Sequence, residues 1–252
     1  MTAASSHRET IARLREAVSA ADTVQGPVLP FGIPTIDLKL ARGGLDRFGL
    51  HEVAPARPTL SDDAAASLFL AGIAARLVDE GGSALWVLTS TDLYAPGLEQ
   101  AGLSPACVVY AQARKDEEVL ALAEDGLRQG CLDVVVAEVR GATMTQTRRL
   151  QLAAGEGRTP LLLLRRWRRA DQPPLQAPSS ALTRWSVGTT VSLALEHAGV
   201  GRARWVVEMV RQRNGNPFTL TVEACDDQGR LALPAAPRHR ATAADRATAR
   251  AA

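Results

Sequence analysis

The chain is short of the residues that most often do chemistry. Of its 29 basic residues only Lys39 and Lys115 are lysines, and the rest are arginines. Arginine is the better partner for carboxylate and phosphate wherever it clusters. There are three cysteines, Cys107, Cys131 and Cys225, widely spaced and with no C-x-x-C pair. That excludes a disulfide framework and a cysteine zinc site, and Cys107 and Cys131, at the starts of apolar runs, read as buried thiols. The four histidines, His7, His51, His197 and His239, form no i,i+4 pair and no H-E-x-x-H, which leaves no metal motif. Apolar runs such as Leu161–Leu164 fall far short of the ~18 residues that a membrane span requires. The first residues carry no apolar stretch of a secretory signal, so the expected location is the cytoplasm. A net charge of +2 and a pI near 8.6 neither require nor exclude nucleic acid.

What is present is enough for one large α/β core: 252 residues, 46% of them hydrophobic. His7–Asp22 has the spacing of an amphipathic helix, with Ile11, Leu14 and Val18 on one stripe. It ends at Gly26-Pro27, which defines an N-terminal helix and linker over residues 1–27. From there strands and helices alternate. Strands are expected at Gly49–Val53, Ala84–Leu88, "CVVYAQ", Leu132–Val139 and Thr159–Leu164. Helices are expected at Asp62–Glu80, Asp116–Gln129 and Met144–Ala154. The strands are continuous apolar runs, the mark of a parallel sheet covered by helices on both faces. Beyond Arg165 the pattern changes to a proline-containing loop. Three more alternating segments follow, "TRWSVGTTVSLAL", "RARWVVEMVRQR" and "PFTLTVEAC", which read as closing antiparallel strands. The core is thus expected over residues 28–233. The Ala/Arg/Pro-rich stretch 234–252 has no core-forming pattern and is expected to be disordered.

The junction "GLHEVAPARPTLSDDAAASLFLAGIAARL", Gly49–Leu77, has the outline of a strand, a loop and a helix, as in a phosphate-binding loop. Such a loop needs glycines whose N–H groups converge on the anion, a lysine for the β/γ-phosphates and a hydroxyl for magnesium. Here "APARPTLSDD" has prolines, which lack an N–H. Its one cation is Arg57, and Ser61 is followed by Asp62 and Asp63. Ser61 or Thr59 would cap the helix, and acids in its first turn suit the macrodipole.

The layout resembles the RecA ATPase core from about Leu29 to Leu233. "GIPTIDLKLARGGLDRFGLHEV" is similar to the run that introduces the RecA phosphate loop. "LDVVVAEV" is similar to the strand bearing the magnesium-proximal carboxylate, with Glu138 where that family usually has aspartate. A more specific resemblance is to the ImuA family, the RecA- and SulA-like proteins of bacterial mutagenesis cassettes. It rests on "LPFGIPTID", "GGLDRFGLHEV", "SDDAA", "LWVL" followed by "DLYAPGLEQAGL", "TRRLQLAAGEGRTPLLLLRR" and "TRWSV" in order. The resemblance implies a RecA-like fold with a degenerate phosphate loop, no cofactor and no catalysis. It implies an accessory role in damage-induced translesion synthesis, bound to an ImuB-type inactive Y-family polymerase homologue and through it to an error-prone DnaE-type polymerase. RecA and single-stranded DNA are further candidate partners, and no membrane is implied. Two alternatives stay open: a divergent ATPase using Arg57 and Glu138, and a SulA-like inhibitor of the tubulin-like division protein.

In "RRWRRADQPPLQAPSS", Arg165, Arg166, Arg168 and Arg169 flank Trp167 directly after a core strand. The arginines are expected to emerge at the carboxyl edge of the sheet, where α/β proteins place binding loops. Arginines neutralise phosphates and tryptophan stacks on bases, but the same residues also anchor protein interfaces. Arg148 and Arg149 would extend this surface or form a solvated helix face. Asp92 follows a core strand, in the place of a water-activating acid, with no phosphate loop to serve. Glu138 would otherwise face solvent or pair with Arg140.

The N-terminal helix generates a first prediction. If Ile11, Leu14 and Val18 form an assembly stripe, replacing Leu14 and Val18 with aspartate will break a protein complex and leave thermal melting unchanged. A collapse of the melting temperature would assign the helix to its own core.

Overall fold

The protein is described by a computed structural model over residues 26–167, 170–192, 199 and 201–234. The expected helix carrying Ile11, Leu14 and Val18 lies outside the described residues, as do Arg168, Arg169 and the tail from residue 235.

A small antiparallel pair, β1 (Val28–Leu29) and β2 (Leu45–Asp46), brackets the short helix α1 (Pro34–Asp37). The α/β alternation then runs β3 (Leu50–Pro55), α2 (Leu60–Leu77), β4 (Ala84–Leu88), α3 (Ala95–Gln100), β5 (Val108–Gln112), α4 (Asp116–Gln129), β6 (Val134–Val139), α5 (Met144–Gly157) and β7 (Leu161–Arg165). Three strands close the chain: β8 (Thr183–Thr190), β9 (Arg204–Gln212) and β10 (Phe218–Glu223). All but the first pair join one eight-stranded sheet in the order β10-β9-β8-β3-β7-β6-β4-β5.

The sheet is parallel from β8 to β5 and antiparallel at β8–β9 and β9–β10. This corrects one expectation. β8 is not a purely antiparallel closing strand, because it runs parallel to β3 with His51 level with Thr183. The segment between β7 and β8 carries the chain back to the amino edge, so β8 starts beside the start of β3. It then lies between two strands and is buried over most of its length, like the other central strands.

Side-chain alternation divides the core into two layers. On one face α2 lays Phe69, Leu70 and Ile73 over Val53, Leu162, Leu164, Trp86 and Trp185. Phe31, Phe69, Trp185, Trp205 and Phe218 interlock there, with ring centroids 5.7–6.4 Å apart. On the other face α4 and α5 lay Leu127, Leu150 and Ala153 over Leu50, Val135, Leu161 and Leu163. The helix ends follow local chemistry. Thr59 caps α2, its hydroxyl accepting from the Asp62 N–H at 3.2 Å. Thr143 and Gln146 form a reciprocal capping box on α5. Gly130 ends α4 in the left-handed region at φ 63°. The two cysteines expected to be buried are not: Cys131 is exposed in the turn after α4, and Cys107 is half-buried in a 3-10 turn.

At the amino edge His51 is buried between β2 and β8. Its Nε2 donates to the Asp46 carbonyl at 2.8 Å, so Nδ1 of the neutral ring accepts from the Thr183 hydroxyl at 2.7 Å. The same hydroxyl accepts from Trp185 Nε1 at 2.9 Å. Burial holds the ring below its ordinary pKa of 6.5, outweighing the nearby Asp46. The unfolded chain therefore binds more protons than the folded one just below that pH, and stability falls as pH drops through the window. Urea unfolding at about pH 7.5 and about pH 5.5 should show a larger loss for wild type than for His51→Gln. Equal losses would contradict this role.

Candidate functional site at the carboxyl edge

The parallel strands β3, β7, β6 and β4 end at one edge, the edge at which open α/β sheets bind ligands. The groups there bind one another. Arg57, in the loop from β3 to α2, donates through Nε to Asp62 Oδ2 at 2.7 Å and through Nη2 to Oδ1 at 3.0 Å. The Asp62 side chain is fully buried and also accepts from the N–H and hydroxyl of Thr189, at 2.8 and 2.7 Å. Burial pushes its carboxyl up, but Arg57 and Thr189 pull it further down, so it stays ionised. A Cβ at Gly188 would lie 2.8 Å from that of Ala56, so β8 approaches this loop too closely for a larger residue.

A second cluster forms where β7 ends. Arg166 donates to Glu138 Oε2 from Nε at 2.9 Å and from Nη2 at 2.7 Å. Its Nη1 pairs with Asp63 in the first turn of α2, and Asp92 lies 3.6 Å from Nη2. Trp86 Nε1 donates to the other oxygen of Glu138 at 2.6 Å. Burial lowers the proton affinity of the Arg166 guanidinium, but Glu138, Asp63 and Asp92 more than restore it.

Arg165 takes the opposite face, as strand alternation requires. It donates from Nη1 to Glu52 Oε1 at 2.8 Å. Glu52 is wholly buried and also accepts from Ser179 Oγ at 2.9 Å and from Arg184 Nε at 2.6 Å. Arg211 Nη1 donates to the Ser179 carbonyl at 3.1 Å. One carboxylate thus serves two buried arginines, and Arg165 Nε and Arg184 Nη2 are left without partners.

The structure therefore changes the picture of several predicted residues. Arg57, Asp62 and Asp63 do gather at the junction, but in ion pairs with the chain itself. Ser61 does not provide the cap, which comes from Thr59. Glu138 neither faces solvent nor meets Arg140. It is 5% exposed and held by Trp86 and Arg166. Arg165 and Arg166 do not project as a basic patch. They are 2% and 8% exposed, because each has a carboxylate from a neighbouring strand to answer. Trp167 is half-buried, and Arg149 bridges from α5 to Glu124 of α4 at 2.7 Å. The space left among Thr89, Asp92, Glu138, Arg140 and Arg166 is about 10 Å³, room for a single water at most. A roomier cavity of about 170 Å³ opens at the opposite edge, beside Arg42, His51, Gln212 and Arg213, far from these clusters.

Comparison with known proteins decides the family. No family model matches the chain. Protein ImuA of Caulobacter vibrioides, in each of two strains, is 36% identical over 197 residues, covering 76% of this chain and 81% of the relative. The chain belongs to the ImuA family. Among solved structures, SulA from Pseudomonas aeruginosa aligns with a TM-score of 0.40 and 23% identity, over 46% of this chain and 96% of SulA.

In this ImuA-family chain, Glu52, Arg184 and Ser179 were missed by sequence reasoning. The available signal was a charged residue inside each of two otherwise buried strands, "LHEVAP" and "TRWSV", since charges there must find partners. Removing one partner of a buried pair leaves an uncompensated charge. Arg166→Ala should therefore lower stability by about 3–5 kcal/mol in urea unfolding. The double variant Arg166→Met/Glu138→Gln should regain most of it, because Gln still accepts from Trp86. A single-variant loss under about 0.5 kcal/mol would show that the cluster is not structural.

Proposed function

We propose that this chain is a non-catalytic accessory factor of a damage-induced mutagenesis cassette. It is built on a RecA-like core whose phosphate loop is degenerate, and it acts by binding rather than by chemistry. Its principal partner is an ImuB-type inactive Y-family polymerase homologue, through which it reaches an error-prone DnaE-type polymerase. RecA and single-stranded DNA are secondary ligands, and the setting is the cytoplasm, on damaged nucleoid DNA. The observation that carries this is the state of the β3–α2 junction. Arg57 is engaged by Asp62, and Glu138 by Arg166. The cation of the loop and the carboxylate of the β6 strand end are therefore both taken up within the chain rather than held free for a nucleotide and its magnesium ion.

Recognition is assigned to the loop between β7 and β8, at Trp167, Arg168 and Arg169. Both ends of this loop are anchored to buried carboxylates: Arg165 to Glu52 and Arg166 to Glu138 before it, Ser179 to Glu52 after it. Anchoring of this kind lowers the ordering cost of binding.

The test is one mutant set, Trp167→Ala and Arg168→Ala/Arg169→Ala, titrated against the ImuB-type partner and against single-stranded DNA. Loss of about 2 kcal/mol or more of partner affinity in Trp167→Ala is expected for an interface anchor. For DNA, the arginine variant should flatten the salt dependence by about 0.7 log units for every phosphate that is no longer neutralised. Wild-type binding by both variants to both ligands would remove the loop from any recognition role.

A further inference from the structure

The cavity at the amino edge of the sheet, about 170 Å³, takes no part in the carboxyl-edge clusters. An apolar cavity of about 150 Å³ is large enough to take in a benzene ring. This one is polar, and the side chains that line it include Arg42, Asp46, His51, Thr183, Arg213 and Asn214.

Three segments build its walls, and one buried side chain cross-ties them. Gln212 ends β9 and is 6% exposed. Its Oε1 accepts from the Ala41 N–H at 3.0 Å. Its Nε2 donates to the Lys39 carbonyl at 2.9 Å and to the Asn216 carbonyl at 2.6 Å. The segment between α1 and β2 is thereby tied to the turn between β9 and β10. The Arg213 N–H donates to the Leu182 carbonyl at 2.8 Å and fixes the same turn against the start of β8. Walls held in this way stand before a ligand arrives, which lowers the ordering cost of binding.

The lining groups divide into two kinds. At the buried end His51 and Thr183 bond to each other, and His51 also bonds to the Asp46 carbonyl, so they supply shape. Asp46 is the one acid among the lining residues, and both of its oxygens are in use. Oδ1 accepts from the Phe48 N–H at 2.9 Å, and Oδ2 pairs with Arg42. At the open end lie Arg42, Arg213 and Asn214. Arg42 is 36% exposed and directs Nη1 to Asp46 and Nη2 to the Gly26 carbonyl at 2.9 Å. Those contacts use two of the five N–H donors of a guanidinium. Arg213 adds a second guanidinium, and Asn214, in the left-handed turn at φ 60°, an exposed amide. Two arginines against one acid leave the lining with an excess of positive charge.

We propose that this cavity binds a phosphate monoester, held between Arg42 and Arg213 with Asn214 as a further donor. A phosphate monoester offers three acceptor oxygens and about −1.5 to −2 charges, which suits donors on two walls at once. A carboxylate offers two oxygens and a single charge. Guanidinium forks match phosphate oxygens in pairs. The volume admits the phosphate with the first atoms of the group that it esterifies. The site lies apart from the loop between β7 and β8, so the two readings stand or fall separately.

Isothermal titration calorimetry of the full chain with inorganic phosphate, at an ionic strength held constant with chloride, should show saturable binding at about millimolar concentration. Arg213→Gln should weaken it about tenfold or more. Asn214→Gly, which keeps the left-handed turn, should weaken it about threefold. Phosphate should raise the melting temperature of the wild type and not that of Arg213→Gln, whose cooperative transition shows that it is folded. Competition identifies the source. Displacement by a single-stranded oligonucleotide with a terminal phosphate, and not by its terminal-hydroxyl twin, assigns the site to nucleic-acid ends. Displacement by ribose phosphate alone assigns it to a free phosphate ester. An absence of saturable phosphate binding, or affinity unchanged in both Arg213→Gln and Asn214→Gly, would overturn the proposal.

Discussion

Two buried carboxylates, each answered by arginine, hold the carboxyl half of this sheet together. β7 lies between β3 and β6. Arg165 at its end and Arg166 just beyond point to opposite faces, and each meets a glutamate from a different neighbour: Glu52 of β3 and Glu138 of β6. Two consecutive residues thus tie three strands together. Taking such ions out of water costs several kcal/mol each, so an unpaired member would be a serious defect. A register slip of one residue would send each arginine to the wrong face and strand both glutamates. We regard these pairs as devices that specify register more than as net sources of stability.

The same pairs shape the edge at which a ligand would bind. Arg166 draws in Asp63 from α2 and Asp92 from the segment after β4, and Arg57 with Asp62 locks the α2 N-terminus to Thr189 of β8. Arg57, Asp62, Asp63 and Glu138 are thus taken up by internal pairing, and the space left among the described residues beside Glu138 and Arg166 is water-sized. The same pairs tie down both ends of the loop between β7 and β8, through Arg165 and Arg166 before it and Ser179 after it.

The alternation of strands and helices was legible because the apolar runs are continuous and the helix stops are local, as at Gly130 after Asp116–Gln129. The direction of β8 was not, since its residues pair with β3 and β9 and nothing in "TRWSVGTT" records that β3 is its parallel neighbour. The fate of the arginines was hidden for a similar reason. Arg166 finds Glu138 across 28 residues, Arg165 finds Glu52 across 113, and Arg184 finds Glu52 across 132. A run such as "RRWRR" reads as a basic surface until its partners are placed. Glu138 likewise resembles a metal-proximal acid until the guanidinium beside it is seen.

The β3–α2 junction, filled by the chain's own ion pairs, should offer no nucleotide site. Thermal unfolding with and without about 5 mM Mg-ATP tests this most directly, because a ligand bound only by the folded state adds about 2.7 kcal/mol at a hundredfold excess over its dissociation constant. Superimposable transitions are expected. An upward shift of roughly 4 °C or more that requires magnesium and disappears in Arg57→Ala would contradict the claim.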